Sequence, residues 1–169
     1  EWSTTVDIGK SNLAKIKIDR LRLEADRTSG KMTITNGQLE SDLADADISG
    51  YYENEGTTDL QCQVKAKDLS LIGNIFPAYR LAGKVDFNAK VTGRSDNPEA
   101  IWQIGAQKVR FKQYILSSVA CNGTYGNKRF DYELVAAGKP NQVIEVKGMT
   151  DLQKAPVETT VEMLKIQFL

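Results

Sequence analysis

Apolar and polar residues alternate without a miss from Lys84 to Thr92. Val85, Phe87, Ala89 and Val91 fall on one face, opposed by Lys84, Asp86, Asn88 and Lys90, because side chains alternate across a strand. The same period recurs along the chain. Leu60, Cys62, Val64 and Ala66 oppose Gln61, Gln63, Lys65 and Lys67; Trp102, Ile104 and Ala106 form another run. There the register slips, and Val109 and Phe111 continue against Lys108, Arg110 and Lys112. A one-residue slip within a strand is the mark of a β-bulge. Ile16 and Ile18, followed by Leu21, Leu23 and Ala25, show a second slip around Asp19-Arg20. Ile144 with Val146, and Val157, Thr159 and Val161, extend the pattern.

Two dipeptides read as turns. Asn36-Gly37, between "KMTIT" and "QLESDL", carries the type I′ hairpin signal. Gly126-Asn127 predicts a two-residue turn that pairs Gly123 with Phe130, Cys121 with Tyr132 and Val119 with Leu134. One stretch breaks the rhythm. "DLSLIGNIFPAYRLAG" offers Asp68 as an N-cap and Leu69, Ile72 and Phe76 at helical spacing, with Gly73 and Pro77 keeping any helix short. The expectation is about ten antiparallel strands, joined mostly by short turns, and one short amphipathic helix: an all-β class in a single domain. A weak echo, "KVTG" at 90–93 and "EVKG" at 145–148, is suggestive of repetition.

Charge and composition remove several chemistries. Lys+Arg and Asp+Glu are 22 each, and no basic cluster interleaves with aromatics, so nucleic acid is not an expected partner. Histidine is absent, and with it the commonest general base and zinc ligand. Ser117 and Ser118 have no base to activate them. Asp42, Asp45 and Asp47 lie close in "LESDLADADISG" but lack the glycine and distal glutamate of a calcium loop, and read as a solvated loop or edge strand. "NGT" at 122–124 fits a glycosylation sequon but falls within a strand. No catalytic constellation emerges, no metal or cofactor is implied, and the expectation is that the chain is not an enzyme. Cys62 and Cys121, far apart on strand-like runs, read as small buried residues, with a disulfide left open. No apolar run approaches the ~20 residues needed to span a bilayer. The chain begins at Glu1 and stops at Leu169 within an apolar-rich run, which reads as a piece of something longer.

An apolar strand face must meet something. Alternation alone leaves open a closed β-sandwich core, a lipocalin-like ligand barrel, or a face that lines a cavity. The segments "DLSLIGNIFP", "LAGKVDFNAKVTG", "RSDNP" and "GKPNQVIEVKGMTDL", with the final "PVETTVEMLKIQFL", together resemble the C-terminal repetitive region of the TamB and AsmA-like family of bridge-like lipid transport proteins. Leu81-Ala82-Gly83, Gly93 and Pro98 match the family spacing: a small helix, Leu-x-Gly, an alternating strand ending in Gly, and a polar turn with Pro. The likeness covers residues 68 to 169 best; the first part fits as generic alternating strand. The resemblance implies an elongated, curled antiparallel sheet, a half-pipe or β-taco, apolar inside and polar outside. It implies a place in the periplasm, within a protein anchored in the inner membrane by a segment outside these residues.

It also implies a function: conduction of phospholipid between the inner and outer membranes, with acyl chains as the bound ligand. The expected groove lining is Leu60, Cys62, Val64, Val85, Phe87, Ala89, Val91, Trp102, Ile104, Val109, Phe111, Val119, Cys121, Tyr132, Leu134, Ile144, Val146, Val157 and Val161. A second expectation, compatible with the first, is docking of an edge strand onto an outer-membrane barrel-assembly partner of the TamA kind.

Overall fold

The computed structural model describes residues 1–13, 16–71, 78, 81–111, 114–138, 142–153 and 158–168. Twelve strands follow one another: β1 (Trp2–Ile8), β2 (Ser11–Leu13), β3 (Ile16–Thr28), β4 (Lys31–Ser41), β5 (Ala44–Glu53), β6 (Thr57–Ala66), β7 (Ala82–Arg94), β8 (Asn97–Phe111), β9 (Tyr114–Gly126), β10 (Arg129–Ala137), β11 (Gln142–Asp151) and β12 (Glu158–Phe168). All belong to one antiparallel sheet in the order β1-β3-β4-β5-β6-β7-β8-β9-β10-β11-β12, with β2 also on the edge of β3. From β3 onward, neighbours in sequence are neighbours in space, as short turns dictate.

The sheet does not close: β1 and β12 lie at opposite ends of the strand order. This rules out the lipocalin-like barrel, and a single sheet is not a sandwich. The helix expected after Asp68 falls mainly on residues 72–77 and 79–80, outside the described residues. At its start, the Asp68 carboxylate accepts the Ser70 N–H at 2.8 Å, the contact an N-cap would make. Hydrogen bonding from the Ser70 side chain, and after it from the Ser70 N–H, holds the Asp68 carboxyl below the ordinary carboxylate range.

Both expected turns need correction. Asn36-Gly37 lies inside β4, where the register to β5 shifts between Ile34 and Gly37. A Cβ at Gly37 would run into the Ile48 side chain, so the glycine makes room for its neighbour and the dipeptide forms a bulge, not a turn. The hairpin turn is instead Ser29-Gly30, at φ 48° and 85°, the paired positive values of type I′. The second turn is Asn127-Lys128, one residue later than expected, at φ 52° and 59°. Gly123 therefore pairs with Tyr132, Cys121 with Leu134 and Val119 with Ala136. The pairs move by two residues, so every side chain keeps its face. The observed register sets Tyr125 against Phe130, with ring centroids 4.7 Å apart, and lets Trp102 meet Phe130 edge-on at 5.7 Å.

Both expected slips are bulges. The β3–β4 register shifts between Ile18 and Arg20. The β7–β8 register shifts between Ala82 and Lys84, where Lys108 takes φ 51° across from Gly83.

Among the described residues the sheet has no second layer. Among the described residues no large side chain is fully buried, and the buried apolar residues are Ala25, Ala106 and Ala136. The accessible surface is 11286 Å², whereas a compact monomer of 18.7 kDa exposes about 8,300 Å². About a third more surface than a compact fold is what one unpartnered sheet leaves open.

Candidate functional site

The register joins the alternating runs into rungs that cross the strands. Val64 pairs with Phe87, Phe87 with Ile104, Ile104 with Cys121, Cys121 with Leu134, and Leu134 with Val146. The same rung continues through Ala46, Leu39, Leu21 and Ile8 in one direction and Leu164 in the other. It crosses eleven strands without a polar residue. A second rung, two residues away on the same face, holds Cys62, Ala89, Trp102, Gly123, Tyr132 and Gly148. Here large and small alternate: a Cβ at Gly123 would collide with the Trp102 indole, and one at Gly148 with the Tyr132 ring. The rings lie over the glycines, which keeps this rung shallow. Leu60, Val91 and Ala100 open a third rung. Val85, Ala106, Val119, Ala136 and Ile144 form a fourth.

Most of the expected lining residues thus share one face, and those from Leu60 to Val109 and from Val119 to Leu134 are half-buried. Ile144 at 38 % and Val161 at 56 % are exposed instead. Val161 lies on β12, an edge strand with no further strand to cover it; Ile144 sits one strand in, opposite the exposed Ile166. Val109 is half-buried opposite Leu116, beyond the bulge at Lys108. Phe111 pairs with Tyr114 in register. Val157 lies outside the described residues.

The opposite face is polar. Lys84, Asp86, Asn88 and Gln103 are exposed; Lys90 is half-buried and ion-paired to Asp59 at 3.6 Å. Direct cross-strand pairs join Lys147 to Glu133 at 3.0 Å and Lys165 to Glu145 at 3.8 Å. Such partly exposed pairs add little stability, but they keep the face wet. Asp45 pairs with Lys67 at 2.5 Å, and Asp42 accepts the Lys17 N–H at 3.1 Å. Two of the three aspartates are thus engaged in local contacts. Among the described residues no cluster of His, Cys, Asp and Glu is placed to hold a metal ion.

A concavity of about 960 Å³ lies on this polar face, lined in part by Gln61, Gln63, Asn88, Gln103 and Asn122, with the second-rung positions from Cys62 to Gly148 running between them along its floor. A smaller one, about 570 Å³, lies beside it near Glu99, Arg129 and Asp151. The sequence offered these residues as the solvent side of the strands. The signal of a depression, a run of amides at matching register positions, is visible only once the strands are paired.

No protein-family model, curated protein or solved structure matches this chain.

The remaining reactive groups are engaged or shielded. The Ser117 hydroxyl donates to the Ala137 and Gly138 carbonyls, both at 3.0 Å. Cys62 and Cys121 are free. They sit on β6 and β9, three strand spacings apart, roughly 14 Å and well beyond disulfide reach. Burial pushes the Cys121 thiol up, only partly offset by its contact with Trp102. The thiolate is the reactive form. Cys121 should therefore alkylate with iodoacetamide more slowly in the folded chain at pH 8 than in urea, read by mass spectrometry; equal rates would mean the rung is not packed around it. No helix among the described residues is long and apolar enough to cross a membrane.

Proposed function

We propose that this chain is a segment of a β-groove that binds acyl chains and conducts phospholipid between the inner and outer membranes. The observation that carries the reading is the first apolar rung, unbroken from β1 to β12, with further apolar rungs beside it and no second layer over them among the described residues. Ten strand spacings of about 4.8 Å make a path of roughly 48 Å across the sheet. Each CH₂ moved from water onto such a surface gains about 0.8 kcal/mol when fully covered. The gain accrues along the rungs without a preferred stopping place, since no charge interrupts them. Grip without a fixed position is what a conduit requires. The rungs support an apolar path across the sheet; both concavities lie on the polar face.

Purified chain should bind a fluorescent phospholipid saturably below its micellar concentration. Phe87→Gln should weaken that binding several-fold, and Asp86→Asn should leave it unchanged. No saturable binding, or equal effects of the two substitutions, would refute the groove.

A second reading, compatible with the first, is edge docking. On β12, Val161, Leu164 and Ile166 are 56 %, 63 % and 54 % exposed, each continuing an apolar rung. An apolar edge with unpaired backbone groups is a template for an added strand. The proposed occupant is a strand of an outer-membrane assembly protein.

A further inference from the structure

The polar face carries a feature that lipid conduction does not use. Gln63 pairs in register with Asn88, Asn88 with Gln103, and Gln103 with Asn122. Four consecutive strands, β6 to β9, thus each present one carboxamide along a single line. All four side chains are exposed, and all four line the larger concavity. Among the described residues no side-chain hydrogen bond joins them, so each keeps an N–H₂ donor pair and a carbonyl acceptor to offer. From the structure we infer that this line is a binding site for a neutral β-linked glycan, lying across the strands in the polar concavity.

Charge, spacing and shape select that ligand. The concavity is bordered by four carboxylates, Asp47, Asp131, Glu133 and Glu162, and by two ammonium groups, Lys90 and Lys147. Lys147 already pairs with Glu133, Lys90 with Asp59 and Arg129 with Asp131. An anionic ligand would meet an excess of like charge, and a ligand with no charge would not. Neutral polyols present alternating donors and acceptors, the complement of a carboxamide. Strands lie about 4.8 Å apart, close to the advance of one sugar ring along an extended β-linked chain. A glycan crossing the sheet therefore meets about one amide per sugar. Ile101, 58 % exposed on the same face and also lining the concavity, supplies an apolar patch for the C–H face of a ring. The volume of about 960 Å³ admits several sugars. The site is on the opposite face from the apolar rungs, so it stands or falls independently of lipid binding.

The test is titration of the 169-residue chain with cellohexaose and with chitohexaose, read by calorimetry and amide chemical shifts. At least one of the two should bind, with shifts centred on Gln63, Asn88, Gln103 and Asn122. Gln103→Ala and Asn122→Ala should each weaken it about tenfold, the loss of roughly one well-made hydrogen bond to a ligand. Both positions are exposed, so folding should be unaffected, which circular dichroism checks. Val91→Arg, on the other face, should leave glycan binding unchanged. No binding of either glycan, undiminished binding in both alanine variants, or tighter binding of an acidic oligogalacturonate would overturn the proposal.

Discussion

Val91→Arg should fold, melt within a few degrees of the parent chain, and abolish transport. Val91 sits in the third rung, between Leu60 and Ala100, and is half-buried. In a closed core an unpaired charge costs several kcal/mol, comparable with the whole ~5–15 kcal/mol stability of a domain. On an uncovered face the arginine can lay its aliphatic stem along the rung and lift its guanidinium into water. The fold then survives. A passing acyl chain, however, meets a cation where it would otherwise gain about 0.8 kcal/mol per CH₂. The readouts are circular dichroism of the purified chain and outer-membrane permeability of cells carrying the substitution in the whole protein. A chain that unfolds would mean the face is covered by protein; a folded chain with full transport would mean that lipid does not cross Val91.

The largest effect on stability is expected at Gly50. It takes φ 123°, a conformation that side-chain-bearing residues rarely adopt, and a Cβ there would strike the carbonyl oxygen of Asp59 on the neighbouring strand. The Leu60 Cα would lie 2.9 Å away. Backbone atoms cannot step aside as a side chain can, so β5 and β6 must separate locally. Gly50→Val should cost roughly 3 kcal/mol or more and lower Tm by about 6–12 °C for a chain of this size. Gly105→Ala is the control: nothing lies within 4 Å of its would-be Cβ. That variant should melt at or slightly above the parent temperature. Equal melting of the two variants would mean that the Gly50 approach is not maintained in solution.

Much of this architecture was legible along the chain, and the reasons are specific. Lys84 to Thr92 and Leu60 to Lys67 alternate cleanly, so their faces followed from a period of two. The slips near Asp19 and Lys108 were legible as bulges because the apolar positions themselves change parity there. Turns were harder. Asn36-Gly37 has the right composition for a hairpin, but the space it leaves for Ile48 is a tertiary fact; Ser29-Gly30, itself a turn dipeptide, took the turn. Gly126-Asn127 suits positive φ better than Asn127-Lys128 does, yet the turn took the latter; the observed register sets up the Tyr125–Phe130 ring pair, which joins two strands. About ten strands were expected and twelve formed, partly because β1 and β2 share one edge of β3. The line of amides was invisible for the same reason. Gln63, Asn88, Gln103 and Asn122 come into line through register, and register is not a property of any one strand.

The apolar rungs as a lipid path are tested most directly by photo-crosslinking in cells, with a photoreactive residue placed in the whole protein at Phe87 or Ile104 and, in parallel, at Asp86 or Gln103. These positions are sequence neighbours at the same depth of the sheet and differ in the face they occupy. The predicted result is phospholipid captured at Phe87 and Ile104 and none above background at Asp86 and Gln103. Equal capture at both pairs, or capture at the polar pair alone, would contradict a lipid path along the apolar face.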